Sequence, residues 1–162
     1  RLNYDPRPLH IHPLVEENIQ LLNAQAEAKK IRLQNKCGKK TQVYADENTL
    51  RTVLRNLLSN AIKFTGKKGK VIVSDAPASG RDDQEMVAVS VTDNGVGIPR
   101  EQLPKLFRID ESISTTGTDE EQGTGLGLIV CREFVERNQG TIEVESQEGE
   151  GSEFRFTLPA VK

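Results

Sequence analysis

Two amides and an amine recur in one short stretch: Asn56, Asn60 and Lys63 stand at i, i+4 and i+7. On a helix, at about 100° per residue, they line a single stripe. Side chains of these types suit phosphate oxygens or the water shell of a metal. Phe64 borders the stripe and can cover a flat ring. Further on, Asp93 is followed by Gly95 and Gly97, whose bare backbone a ligand can approach closely. A carboxylate there can take the exocyclic amine of adenine and reject the carbonyl of guanine. The plainer alternative is that Asp93-Asn94-Gly95 is only a good hairpin turn. Gly123, Gly125 and Gly127 open a helix, where free amides and the helix dipole attract phosphate. A flexible loop entering a tightly packed helix would read the same way.

These residues need elements to hold them. Asp46 can cap the helix that carries the amides, and Leu50, Val53, Leu54, Leu57, Leu58 and Ala61 give it a buried stripe roughly 120° from the polar one. Before it, residues 1–8 read as a ragged linker with three charges and two prolines. Leu9 and Ile11 alternate with His10 and His12 as a short strand. Pro13 then opens a helix that is buried through Val15, Ile19, Leu22 and Ala26. Ile31 to Gln34 and Gln42 to Ala45 are short strands. After a turn at Gly66 to Gly69 come a strand at Val71-Ile72-Val73 and a polar loop from Ala76 to Gln84. Val87, Val89 and Val91 alternate in a half-buried strand ending on Asp93. A short helix spans Glu101 to Phe107. Arg108 to Gly123 has no periodicity and reads as a mobile lid. The helix after Gly127 is apolar nearly all round in its first turns and should be central. Thr141 to Ser146 and Glu153 to Leu158 form a hairpin around Gly149 to Gly151. The order predicts an α+β two-layer sandwich, a mixed and mostly antiparallel sheet with helices on one face.

Composition narrows the functions. The 162 residues suffice for one domain with a proper core. The chain starts at Arg1 and reads as an excised piece of something longer. Its 24 acids and 22 bases nearly cancel, giving no basic surface for nucleic acid and no polybasic membrane patch. No apolar run approaches the ~18 residues of a membrane span. Cys37 and Cys131 lack metal spacing and read as reduced core residues of a cytosolic domain. The Walker, dinucleotide and protein-kinase signatures are all absent.

Asn56 to Thr65, Asp93 to Ile98, Leu106-Phe107 and Gly123 to Leu128 resemble, in order and spacing, the N, G1, F and G2 boxes of sensor histidine kinases. Gly149 to Phe154 resembles the closing glycine-rich element of their ATP-binding domain. The resemblance covers nearly all of Leu9 to Leu158. It implies a Bergerat fold over 9–160, binding ATP and Mg²⁺ in the cytoplasm beneath a membrane-anchored parent. By it, Asn60 coordinates the metal, Asn56 orders phosphates or metal water, Lys63 meets phosphate and Phe64 lies on the nucleotide, with Asn56, Asn60 and Lys63 as the catalytic set. Asp93 reads the adenine amine, helped by water and Ser152, while Gly95 and Gly97 make room for the base. Ile98 and Phe107 line the site. Gly123, Thr124, Gly125, Leu126, Gly127 and Leu128 lie at the phosphates, and Arg108 to Gln122 is the lid.

There are departures from the pattern. The lid after Arg108 holds no Lys or Arg to meet a γ-phosphate. Asn138-Gln139-Gly140 replaces a frequent His-Gly-Gly, a change expected to have no consequence. No phosphoacceptor box is present, and His10 and His12 read as strand residues.

The resemblance further implies two partners: a histidine-containing dimerisation domain of the same parent and the receiver domain of a response regulator. The isolated domain should be a monomer without direct membrane contact. The competing readings are an ATP-hydrolysing switch and a serine-kinase relative of the same superfamily. Gyrase- and chaperone-type ATPases usually carry glutamate where Asn56 stands, and an amide cannot take a proton from water.

Overall fold

The computed structural model describes residues 3–107 and 127–162. The order is β1 (Pro6–His10), α1 (Ile11–Ala28), β2 (Arg32–Asn35), β3 (Gln42–Asp46), α2 (Glu47–Phe64), β4 (Lys70–Ser79), β5 (Glu85–Asp93), α3 (Gly127–Arg137), β6 (Ile142–Gln147) and β7 (Gly151–Pro159). A five-stranded sheet runs β2-β4-β5-β7-β6, and β1 pairs with β3 in a small second sheet. Among the described residues only the β2–β4 pair is parallel. This is the expected α+β sandwich.

Register explains the layers. Val87, Val89 and Val91 on β5 stand opposite Leu158, Phe156 and Phe154 on β7, and all six are buried. They meet the stripe of α2, where Leu50, Val53, Leu54, Leu57, Leu58 and Ala61 are buried as their spacing predicts. On the other sheet face Arg155 on β7 donates to Glu143 on β6 at 3.0 Å, while Met86 and Ala88 on β5 are buried there. Helix α2 begins where the Asp46 carboxylate accepts from the Thr49 amide at 2.9 Å, the expected cap.

Four local expectations change. Strand β1 reaches back to Pro6, inside the segment read as a ragged linker. Both strands of a two-stranded sheet are edges, where proline is tolerated. The segment is held further by Tyr4 Oη on the Arg137 carbonyl (3.0 Å) and by the Asp5 amide on Asp46 (2.9 Å). Ile11 and His12 belong to α1 instead of the strand. Leu9 and Ile11 are both buried as their alternation suggests, but the second buried position already lies on the helix. Strand β4 continues through Pro77 to Ser79, where a loop was expected. Beyond Val73 it has outrun β2 and become an edge, so Pro77 forfeits no ladder bond there. The helix expected at Glu101 to Phe107 is a 3-10 turn, Arg100–Lys105, with Pro104 inside it. Proline cannot supply the amide that an α-helix would use.

Candidate nucleotide site

Helix α2 points its polar stripe along one side of the core, with Asn56, Asn60, Lys63 and Phe64 all half-buried. Lys63 Nζ lies 5.1 Å from the centre of the Phe64 ring. Helix α3 starts against this stripe: a Cβ on Gly127 would stand 3.7 Å from Asn56 Cγ. Deeper along the same contact, Cys131 Sγ meets the Val53 carbonyl at 3.8 Å. Burial pushes its thiol up to about 12, a bond with the Asn56 side chain offsetting part of the effect. Cys131 is a core residue, as expected.

The second wall is the end of β5. Asp93 is only 8% exposed. Its Oδ1 accepts from the Gly95 amide at 2.8 Å. Burial lifts its carboxyl from the usual range to about 6, and the amides of Gly95 and Ser152 pull it back only in part. The loop beyond is docked onto α2 and the last hairpin. The Val96 amide donates to the Phe64 carbonyl at 3.0 Å, and the Gly149 amide donates to the Val96 carbonyl at 2.7 Å. A Cβ on Gly95 would sit 2.2 Å from the Phe64 oxygen, and one on Gly97 (φ +75°) 2.3 Å from the Gln147 oxygen. The nearest neighbour of each glycine is thus a protein carbonyl, with the Asp93 carboxylate also close to Gly95, so glycine is required for the loop to close. Ile98 and Phe107 are half-buried against the core, as is Leu128 on α3.

The structure therefore joins Phe64, Asp93, Gly95 and Ser152 at one end of α2, and Asn56 with Gly127 a turn or two earlier. Gly123, Thr124, Gly125, Leu126 and the lid segment Arg108 to Gln122 lie outside the described residues.

Three residues support the site through contacts that the sequence did not show. Lys29, 3% exposed, aims Nζ at the carbonyls of Ile62 (2.8 Å) and Lys63 (3.2 Å). Asn138, also 3% exposed, joins both helices of the site. It accepts from the Asp46 amide (2.9 Å) and donates to Thr49 Oγ1 (2.8 Å) and the Phe134 carbonyl (2.9 Å). Its replacement of histidine, expected to be inert, places a buried hub. Ser146 ties the Ile98 amide to the hairpin at 2.7 Å. An asparagine that follows a helix is a familiar stop signal, but nothing in the pattern marks its long-range partners.

The donor set fits a nucleotide. A buried carboxylate held by the Gly95 amide can still accept from a base amine, and an amide-and-amine stripe suits phosphate. Among the described residues no group of three or more His, Cys, Asp or Glu is placed to hold a metal. Mg²⁺ does not need one, since it commonly keeps waters and substrate phosphates as ligands.

Comparison with known proteins agrees. Residues 45–162 match the family of histidine kinase-, DNA gyrase B-, and HSP90-like ATPases. The chain belongs to this family. Within it, the domain is of the histidine-kinase catalytic type. It superposes on the catalytic domain of histidine kinase ThkA with a TM-score of 0.79 at 30% identity, covering 96% of each chain. It also superposes on full-length ShkA in complex with AMPPNP (TM-score 0.79, 27% identity, 99% of this chain and 32% of that one). With ThkA in complex with the response regulator protein TrrA the TM-score is 0.74 at 26% identity, covering 98% of this chain and 42% of that one. Among curated proteins, the Non-motile and phage-resistance protein of Caulobacter vibrioides is 35% identical over 161 residues, which is 98% of this chain and 19% of that protein. The Adaptive-response sensory kinase SasA of Synechococcus elongatus is 35% identical over 162 residues, 99% of this chain and 40% of that one. The kinase-type domain thus spans between 19% and 40% of these two relatives.

Proposed function

We propose that the domain binds Mg–ATP and donates the γ-phosphate to a histidine on a separate dimerisation domain of its parent, for onward passage to a response regulator receiver domain. The ShkA complex with AMPPNP supports the nucleotide, and the ThkA complex with TrrA supports the regulator. The cytoplasm supplies ATP and suits two buried free thiols, Cys37 and Cys131.

In this reading Asp93 accepts from the adenine amine and Phe64 covers the ring. Lys63 carries positive charge to the phosphates. Asn56 orders the phosphates or metal water, and Asn60 offers its amide oxygen to Mg²⁺, which when bound neutralises charge on the phosphates. The chain's own work is positioning and charge neutralisation, which dominate phosphoryl transfer. Asn56, packed against the first residue of α3, carries the choice of transferase over hydrolase. A water-activating base would be needed there, and an amide cannot accept that proton.

The test is incubation with γ-labelled ATP, with and without the parent's dimerisation domain. Label should appear only on that domain and be acid-labile, as a phosphohistidine is. Acid-stable label on this chain would favour a serine kinase, and rapid phosphate release by the chain alone would favour an ATPase.

A further inference from the structure

Three polar side chains cross the helix-facing side of the sheet at one level. Asp93 on β5 is the register partner of Ser152 on β7, which is the register partner of Ser146 on β6. Asp93 and Ser152 are both buried, each 8% exposed. Ser146 Oγ lies 2.7 Å from the Ile98 nitrogen, 3.0 Å from the Gly151 carbonyl oxygen and 2.7 Å from Ser152 Oγ.

A hydroxyl has one proton and two lone pairs. The Gly151 carbonyl can only accept, so it takes the Ser146 proton. The Ile98 amide can only donate, so it fills one lone pair. The contact with Ser152 must use the other, which makes Ser152 the donor. Ser152 has then committed its own proton, and its oxygen can only accept from anything else nearby. The chain of hydroxyls has a fixed direction although each serine alone could point either way.

We propose that Ser146 is a positioning residue for base selectivity: by holding the Ser152 proton, it leaves the Ser152 hydroxyl as an acceptor beside the carboxylate of Asp93, so the site takes a base amine and rejects a carbonyl. The inference rests on the reading of Asp93 as the residue that meets the base.

The probes are ADP and inosine diphosphate, which carry an amine and a carbonyl at the same ring position. Both are titrated calorimetrically into the whole chain at neutral pH. The wild type should prefer ADP by about tenfold or more. In Ser146→Ala the Ser152 hydroxyl is released to turn and donate, so the preference should fall by about three- to tenfold, through tighter inosine diphosphate binding. Ser146→Thr keeps the oxygen and should keep the preference. In the double variant Ser146→Ala, Ser152→Ala the released donor is gone, so inosine diphosphate should bind less tightly than to Ser146→Ala. If Ser146→Ala does not fold, Ser146→Cys should lower the preference in the same direction, because a thiol is a weak acceptor.

Equal weakening of both nucleotides in Ser146→Ala, with the ratio unchanged, makes Ser146 a structural tie and overturns the proposal. Equal inosine diphosphate affinity in the single and double variants also overturns it, as does loss of preference in Ser146→Thr. A wild type without any preference overturns the Asp93 reading, and the inference with it.

Discussion

Lys29 Nζ donates to the carbonyl of Ile62 at 2.8 Å, so the cation that ends α1 closes the C-terminus of α2. The last turn of a helix leaves carbonyls without intrahelical donors, and a cation there also complements the helix dipole. That turn carries Lys63 and Phe64, whose own carbonyl is taken by the Val96 amide. Lys29→Met keeps the stem and removes the charge. It should destabilise the domain by about 2 kcal/mol, read by urea unfolding, and weaken ADP binding. Lys29→Arg should recover part of both. If Lys29→Met unfolds at the wild-type urea midpoint, the contact contributes nothing.

Asp93 should make nucleotide binding depend on pH. Its carboxyl is raised to about 6 by burial. In the free domain this contribution to stability is present below the ordinary carboxylate value and lost as pH rises through about 6, because the folded state binds the proton more tightly. A base amine reverses the preference, since it bonds to the ionised form. ADP affinity should therefore decline as pH falls below about 6. Asp93→Asn should weaken ADP and ATP alike and abolish the slope. Calorimetric titrations at pH 5 and 7.5 decide the matter, and an equal slope in wild type and Asp93→Asn would assign it elsewhere.

Asn60→Asp tests the metal. It places a negative charge beside the phosphates, which should weaken nucleotide without Mg²⁺ and strengthen the dependence on Mg²⁺. Binding of ATP with and without EDTA separates the two effects. An unchanged metal dependence would remove Asn60 from the metal.

The elements that bury apolar stripes were legible in the sequence. The cap at Asp46 and the stripe of α2 lie where the sequence puts them, and β5 alternates from Val89 to Asp93, whereas Met86 to Val89 are buried on both faces instead of half-buried. Local breakers misled where a tertiary partner overrode them: Pro6 and Pro8 entered an edge strand beside β3, and Pro77 lay where β4 had already outrun β2. The amide stripe and Asp93 were visible because residue type carries their chemistry. The partners of Lys29, Ser146 and Asn138 were not. Lys29 reaches a carbonyl 33 positions away, Ser146 an amide 48 away and Asn138 an amide 92 away. No short-range pattern encodes such a separation.

Asn138 offers the strongest stability test. Its side chain links the N-cap of α2 to the last turn of α3 through bonds to Asp46, Thr49 and Phe134. Asn138→Ala strands the buried Asp46 amide, and truncating one member of a satisfied network costs more than a single exposed bond. A loss of about 2–3 kcal/mol is expected, read as a lower urea midpoint. Asn138→Asp should be at least as damaging, because the Nδ2 donor becomes an oxygen facing the Phe134 carbonyl and adds a charge near the Asp46 carboxylate. Asn138→His, the residue that the resembled pattern implies at this position, should be the mildest. The ranking His, Ala, Asp is the point of the test, because it follows from which partner keeps a bond. A flat response across the three would mean that water can replace the side chain, and that α2 and α3 are held together by their apolar contacts alone.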